Sequence, residues 1–96
     1  LIGCDGGLYV SRDRTEKWDF LSHVAIGQFY HVCVDASKPY RVFGGLQDNG
    51  TWGGPSRTLR GSGATNDDWL FVGGGDGFMC RSDPTDPDLV YYTSQD

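Results

Sequence analysis

The chain has 96 residues, a formal net charge of −5 and eight scattered lysines and arginines, so no basic face is available to bind nucleic acid. Its twelve aspartates, single glutamate, fifteen glycines and three alanines favour turns over helices and predict an all-β protein. No apolar run approaches the ~20 residues that a membrane-spanning helix needs, so we expect no membrane span.

The predicted strands are short runs of β-branched and aromatic residues, separated by clusters of turn-forming residues. In chain order they are 8–11, 18–21, 29–34, 41–46, 69–72, 78–82 and 89–93. Asp5-Gly6 and Asn49-Gly50 predict hairpin turns of type I′, because these residues accept the positive φ that such turns require. One long segment, 55–68, is either a functional loop or a tolerated surface insertion.

A repeat with an offset of 48 residues relates two parts of the chain. Repeats of about 40–50 residues with four short apolar runs are typical of β-propeller blades. The residues that recur at this offset are Asp35 and Asp83, Pro39 and Pro87, Val42 and Val90, Gln47 and Gln95, and Asp48 and Asp96.

The repeat predicts a partial β-propeller of about two four-stranded antiparallel blades. Segment 1–22 is expected to end one blade, 29–72 to form the next, and 78–96 to begin a third. The first repeat continues past Asp48 while the second stops at Asp96, so we expect the chain to be a fragment cut at both ends.

The segment between the first two predicted strands carries a known pattern. Ser11-Arg12-Asp13-Arg14-Thr15-Glu16-Lys17-Trp18 resembles the Asp-box, Ser-x-Asp-x-Gly-x-Thr-Trp, with matches at Ser11, Asp13 and Trp18. Thr15 stands in place of the glycine and Lys17 in place of the threonine. In such a turn, a short Asp side chain caps backbone N–H groups while the Trp packs beneath it.

Together with the repeat, this motif makes the chain similar to the Asp-box (BNR-like) β-propellers, and most of all to their sortilin-like and xyloglucanase-like branch. The resemblance implies that Ser11, Asp13 and Trp18 mark the fold at a turn between the third and fourth strands of a blade. It implies a secreted or extracytoplasmic protein whose partner is a protein, peptide or carbohydrate. It also implies that the ligand lies on the opposite face of the propeller, over the central channel.

In that register, five residues are expected at the ligand face: Gln28, Gln47, Asp48, Trp52 and Asp76. Asp48 and Asp76 are the candidate catalytic residues, because glycoside hydrolysis uses two carboxylates, about 5 Å apart for retention or about 6.5–9.5 Å for inversion. Alternatively, each aspartate caps its own turn through its own backbone. Trp52 either stacks on a sugar ring or packs between sheets, as Tyr30 and Phe78 are expected to do.

No metal or cofactor site is predicted, since His23 and His31 have no third ligand at metal-binding spacing. Aligned by the repeat, Cys33 and Cys80 point to opposite faces of their strands, which argues against a disulfide.

Three kinds of function stay open. The first is a structural, ligand-binding propeller segment; the second is part of a glycoside hydrolase that acts on polysaccharide through an Asp pair. The third is an assembly factor built on the same scaffold. Fold does not choose among them, because propellers host all three. A second acidic residue opposite Asp48 or Asp76 would favour the hydrolase.

Overall fold

A computed structural model describes residues 1–4, 6–21 and 26–95, and its regular structure is almost wholly β. The helical content of these residues is one 3₁₀ turn at Asn66–Asp68, so the prediction of an all-β protein is confirmed. None of the described helical structure is long and apolar enough to cross a membrane. Asp5, His23 and Asp96 lie outside the described residues. The strands are β1 Ile2–Cys4, β2 Gly7–Val10, β3 Asp19–Phe20, β4 Phe29–Val34, β5 Arg41–Leu46, β6 Gly50–Pro55, β7 Leu70–Gly73, β8 Gly77–Ser82 and β9 Val90–Ser94.

These strands form three antiparallel sheets in chain order. The first contains β1, β2 and β3, the second contains β4 to β7, and the third contains β8 and β9. Within the described part of the chain, the middle sheet is therefore the one four-stranded sheet, and the three sheets form no closed ring.

Glycines allow the middle sheet to pack closely on its own side chains. Val42 pairs with Gly54 and Phe43 with Gly53 along the ladder between β5 and β6. A β-carbon on Gly53 would lie 2.4 Å from the Phe43 ring, so the ring occupies the space that a larger residue would fill. Phe43 is accordingly one of the few large side chains that are buried.

The repeat found in the sequence is also a repeat of the backbone. Val34 pairs with Val42 in the second sheet, and Ser82 pairs with Val90 at the equivalent positions of the third. Both ladders lose their regular pairing near the start of the first strand. Two backbone hydrogen bonds also recur. The Asp35 N–H donates to the Arg41 carbonyl at 3.2 Å, as the Asp83 N–H donates to the Leu89 carbonyl at 2.9 Å. The Gln47 N–H donates to the Gln28 carbonyl at 3.0 Å, as the Gln95 N–H donates to the Asp76 carbonyl at 3.1 Å.

The third sheet packs on the second, with β8 against β4 and β5. The repeat-equivalent rings of Tyr30 and Phe78 stack across this interface with centroids 4.9 Å apart, as the sequence predicts. Gly45 permits a close approach of backbones, because a β-carbon on it would lie 2.3 Å from the Gly77 carbonyl. Among the described strands, no comparably close packing joins β1, β2 or β3 to the other two sheets.

The same interface brings Cys33 and Cys80 together, although the repeat places their side chains on opposite faces of their strands. That argument holds within one sheet, but stacking sets one face of a sheet against the opposite face of the next. Burial and the neighbouring Cys33 thiol raise the pKa of Cys80 to about 12. Both cysteines are free thiols.

Candidate functional site

One end of the second and third sheets gathers the polar residues that the sequence predicts at the ligand face. Gln28 precedes β4, Gln47 and Asp48 begin the loop between β5 and β6, and Asp76 precedes β8. The Gln47 N–H donates to the Gln28 carbonyl at 3.0 Å, which ties the loop to the start of the sheet. Trp52 follows in β6, so all five residues lie in or beside this region.

The loop between β5 and β6 differs from the predicted hairpin turn. Leu46 pairs with Gly50, so three residues, 47–49, form the loop rather than two. Positive φ falls on Asp48 (58°) and Gly50 (74°), with Asn49 between them outside that region. The predicted hairpin is confirmed, since β5 and β6 pair across this loop, but the prediction that its turn is of type I′ at Asn49-Gly50 is wrong. Asp48 can take this conformation because Asp and Asn tolerate it better than most residues.

Asp76 caps the loop of the neighbouring sheet and not its own. Its Oδ1 accepts a short hydrogen bond from the N–H of Asp48. The interpretation that Asp76 caps its own turn is therefore wrong, because stacking brings the loop before β8 against the loop between β5 and β6. Hydrogen bonds from N–H groups to carboxylates are among the stronger hydrogen bonds in proteins, so Oδ1 of Asp76 stabilises the contact between the two loops.

Backbone hydrogen bonds hold the loop that carries Asp76. The Gly50 N–H donates to the Gly75 carbonyl at 2.9 Å, and the Ser94 hydroxyl donates to the Gly74 carbonyl at 2.7 Å. Gly75 has a φ of 76°, and a β-carbon there would lie 2.4 Å from the Ser94 hydroxyl oxygen. The position therefore requires glycine.

Trp52 supports the loop as well as the sheet. Its indole N–H donates to the Asn49 carbonyl at 2.7 Å, and its ring meets the edge of Phe71 with centroids 5.2 Å apart. The side chain is half-buried. These contacts favour packing over a freely exposed stacking platform, although the indole still lies beside the Asp48 loop.

An open pocket of about 250 Å³ lies where the loops of the two sheets meet, lined by Asp48, Gly75, Asp76 and Gln95. Carboxylates accept hydrogen bonds and an amide both donates and accepts, so this lining suits a ligand with hydroxyl or N–H groups. The sequence argument did not select Gln95, although its repeat position is that of Gln47. Across the described ranges, no group of three or more His, Cys, Asp and Glu side chains could hold a metal ion.

The 11–18 segment joins β2 to β3 through a tight turn built on Ser11 and Asp13. The Ser11 hydroxyl donates to Asp13 at 2.9 Å and accepts the N–H of Thr15 at 2.8 Å. Asp13 also accepts the N–H of Lys17 at 2.9 Å, and this bond lowers the pKa of Asp13 below its ordinary value. The short side chains thus satisfy N–H groups within the turn.

Thr15 and Trp18 both differ from what the Asp-box pattern leads us to expect in this turn. Arg14 and Thr15 have φ values of 59° and 78°, so Thr15 takes a left-handed conformation where the motif has glycine. That conformation is unfavourable for a β-branched residue. Trp18 is 39% exposed, so it is less enclosed than a residue packed beneath the turn would be.

Comparisons of the chain with protein-family models, with curated proteins and with solved structures found no match.

Proposed function

We propose that this chain is a ligand-binding segment of an Asp-box β-propeller and that it binds a peptide or glycan where Gln28, Gln47, Asp48 and Asp76 meet. The backbone repeat of 48 residues supports the propeller part of the proposal, because each blade is one supersecondary unit stacked on its neighbour. The hydrogen bonds of the turn at Ser11 support the Asp-box part.

The contact between Asp48 and Asp76 beside the open pocket is the observation that carries the binding proposal. The two residues belong to different sheets, so the pocket exists only because the sheets stack. Stacked repeats commonly bind ligands across several units in this way. Loops placed on a rigid scaffold also carry binding residues more often than the scaffold does.

Binding is favoured over glycoside hydrolysis by the way Asp76 is held. A hydrolase of the usual kind needs both carboxylates directed at the sugar, one as acid and the other as base or nucleophile. Here one oxygen of Asp76 accepts the Asp48 N–H. The hydrolase is kept as the second candidate because the structure does bring two aspartates together.

The test compares Asp48→Asn and Asp76→Asn in the full-length protein that carries this chain. Asn retains an acceptor oxygen and tolerates positive φ, so both variants should fold while losing a charge. Asp67→Asn is the matched control, since Asp67 is an exposed carboxylate in the 3₁₀ turn. The probes are a glycan array containing xyloglucan and β-glucan oligosaccharides and a display library of random peptides.

We expect at least one probe to bind the wild type and the Asp67 variant equally and to bind the Asp48 variant about tenfold more weakly. A hydrogen bond to a charged group has about that value. If no probe shows binding that depends on Asp48, the proposal is wrong. Hydrolysis of a β-glucan that disappears in a normally folded Asp76 variant would establish the second candidate instead.

A further inference from the structure

The longest segment without a strand, 56–69, connects two strands that pair with each other. β6 and β7 are neighbours in the second sheet, where Trp52 lies opposite Phe71 and Gly53 opposite Leu70. A break in the chain within this segment would therefore leave both sides of the break hydrogen-bonded into one sheet.

The tip of this segment is open on all sides. Leu59 is fully exposed, and Arg57 and Arg60 are exposed on either side of it. A β-carbon added to Gly61 or Gly63 would meet nothing within 4 Å. Exposed loop tips with small and polar residues are the preferred sites of proteolysis, because a protease must reach several residues around the bond it cuts.

The remaining lysines and arginines are poorer protease sites than Arg57 and Arg60. Arg12, Arg14 and Lys17 lie in a hydrogen-bonded turn, and Lys38 precedes a proline. Arg41 and Arg81 lie in strands. Within the described residues, 56–69 is therefore the segment where an arginine-directed protease meets the least structure.

We propose that the Arg60–Gly61 peptide bond is a processing site for an arginine-specific serine protease that recognises Arg57 and Arg60 together. Water adds across the bond, which leaves a carboxylate on Arg60 and an amino group on Gly61. The guanidinium of Arg60 enters an acidic pocket of the protease, and that of Arg57, three residues earlier, enters a second acidic subsite. The two products stay associated through the pairing of β6 with β7.

Three interactions hold Arg60 in the uncut loop. Its guanidinium forms an ion pair with Asp68, and its carbonyl accepts the N–H of Gly63 at 3.1 Å and the Thr58 hydroxyl at 3.5 Å. These interactions must open before the residue enters a protease active site. Because the arginine side chain is 53% exposed, it can leave Asp68 locally without unfolding the sheet.

The test uses the folded full-length protein and two probes: trypsin, which requires one arginine, and a proprotein convertase that requires two. The first cut is located by sequencing the new amino terminus. With the convertase we expect it after Arg60, and we expect Arg60→Gln to abolish it; trypsin should cut after Arg57 or Arg60. Arg57→Gln should slow the convertase tenfold or more and leave the trypsin cut after Arg60 unchanged, while Arg14→Gln is the control that changes neither.

A further variant, Asp68→Asn, should raise the initial rate severalfold with either enzyme, because it frees the Arg60 guanidinium. Circular dichroism of each variant confirms that the uncut protein is folded. The nicked product should elute as one species in size-exclusion chromatography and separate only in denaturant. A first convertase cut elsewhere in residues 1–96, an unchanged convertase rate for Arg57→Gln, or products that separate without denaturant would each overturn the proposal.

Discussion

The loops 35–41 and 83–89 are equivalent in the repeat and are closed by the same backbone hydrogen bond, yet they hold their aspartates differently. The side chain of Asp35 is wholly buried and forms an ion pair of 2.6 Å with the Arg41 guanidinium. Asp83 is half-buried and accepts hydrogen bonds from Thr85 and Asp86 of its own loop. The equivalent loops thus contain a buried charge in one copy and a half-buried charge in the other.

One of the substitutions between the copies contributes directly to this difference, since Arg41 occupies the repeat position of Leu89. A buried carboxylate requires a cation or several hydrogen bonds, and the Leu side chain supplies neither. Arg41 also reaches into the second copy, where it donates to the Pro87 carbonyl and to Asp88. Arg41, which departs from the repeat, therefore also helps to join the two units.

Gly45 and Thr93 are a second pair of repeat-equivalent residues that make different contacts. Gly45 lies against β8, where no β-carbon fits. The Thr93 hydroxyl instead accepts the N–H of Met79 at 3.0 Å, in the part of the third sheet where regular pairing is lost. Arg41 and Gly45 are thus two positions where the copies differ in sequence and where the first unit contacts the second.

The largest expected effect concerns the ion pair that distinguishes the two loops. In the full-length protein, Asp35→Ala should reduce the free energy of unfolding by about 3–5 kcal/mol, because it leaves Arg41 without its buried partner. Asp83→Ala should cost much less, since its hydrogen bonds lie within an exposed loop. Chemical denaturation of both variants measures the two losses. Equal losses would show that the two aspartates have the same role.

Acid should distinguish the same two loops with a smaller effect. Burial raises the pKa of Asp35, but hydrogen bonds from the Arg41 N–H, the Arg41 guanidinium and Ser37 outweigh it and hold the pKa at about 2. The folded state therefore favours the charged carboxylate. Its contribution, up to about 2 kcal/mol, is complete above the ordinary pKa of 3.8 and is lost as the pH falls towards 2.

Unfolding free energies measured through this pH range, for the wild type beside Asp35→Asn, test that expectation. The wild type should lose more stability than the variant as the pH falls. Parallel curves for the two proteins would mean that Asp35 does not contribute to the acid sensitivity of the fold.

The sequence predicts those features of the fold that depend on neighbours along the chain. Runs such as 29–34 and 41–46 become strands at the expected places, and the repeat predicts which backbone bonds recur. The turn at Asn49-Gly50 is the exception, because the pairing of Leu46 with Gly50 lengthens the loop to three residues.

Contacts between sheets could not be predicted in the same way. The bond from Asp48 to Asp76 and the meeting of Cys33 with Cys80 both depend on how the sheets stack. Sequence spacing carries no direct information on that stacking. The buried Asp35 is a different case, because its partner Arg41 lies in the same loop: the repeat shows that Asp35 recurs but not that it is buried.

The smallest expected effect concerns the ion pair between Arg41 and Asp88, at the contact between the two units. The Arg41–Asp88 pair spans 3.1 Å, but the Asp88 side chain is 85% exposed, so Asp88→Asn should cost less than about 1 kcal/mol. The loss should shrink further at high salt, which screens exposed charges.

Arg41→Leu, which copies Leu89, should cost more because it also removes the bonds to Asp35 and to the Pro87 carbonyl. Denaturation of both variants at low and high salt measures the difference. A loss for Asp88→Asn that approached that of Arg41→Leu would mean that the exposed ion pair, and not the bond to the Pro87 carbonyl, joins the two units.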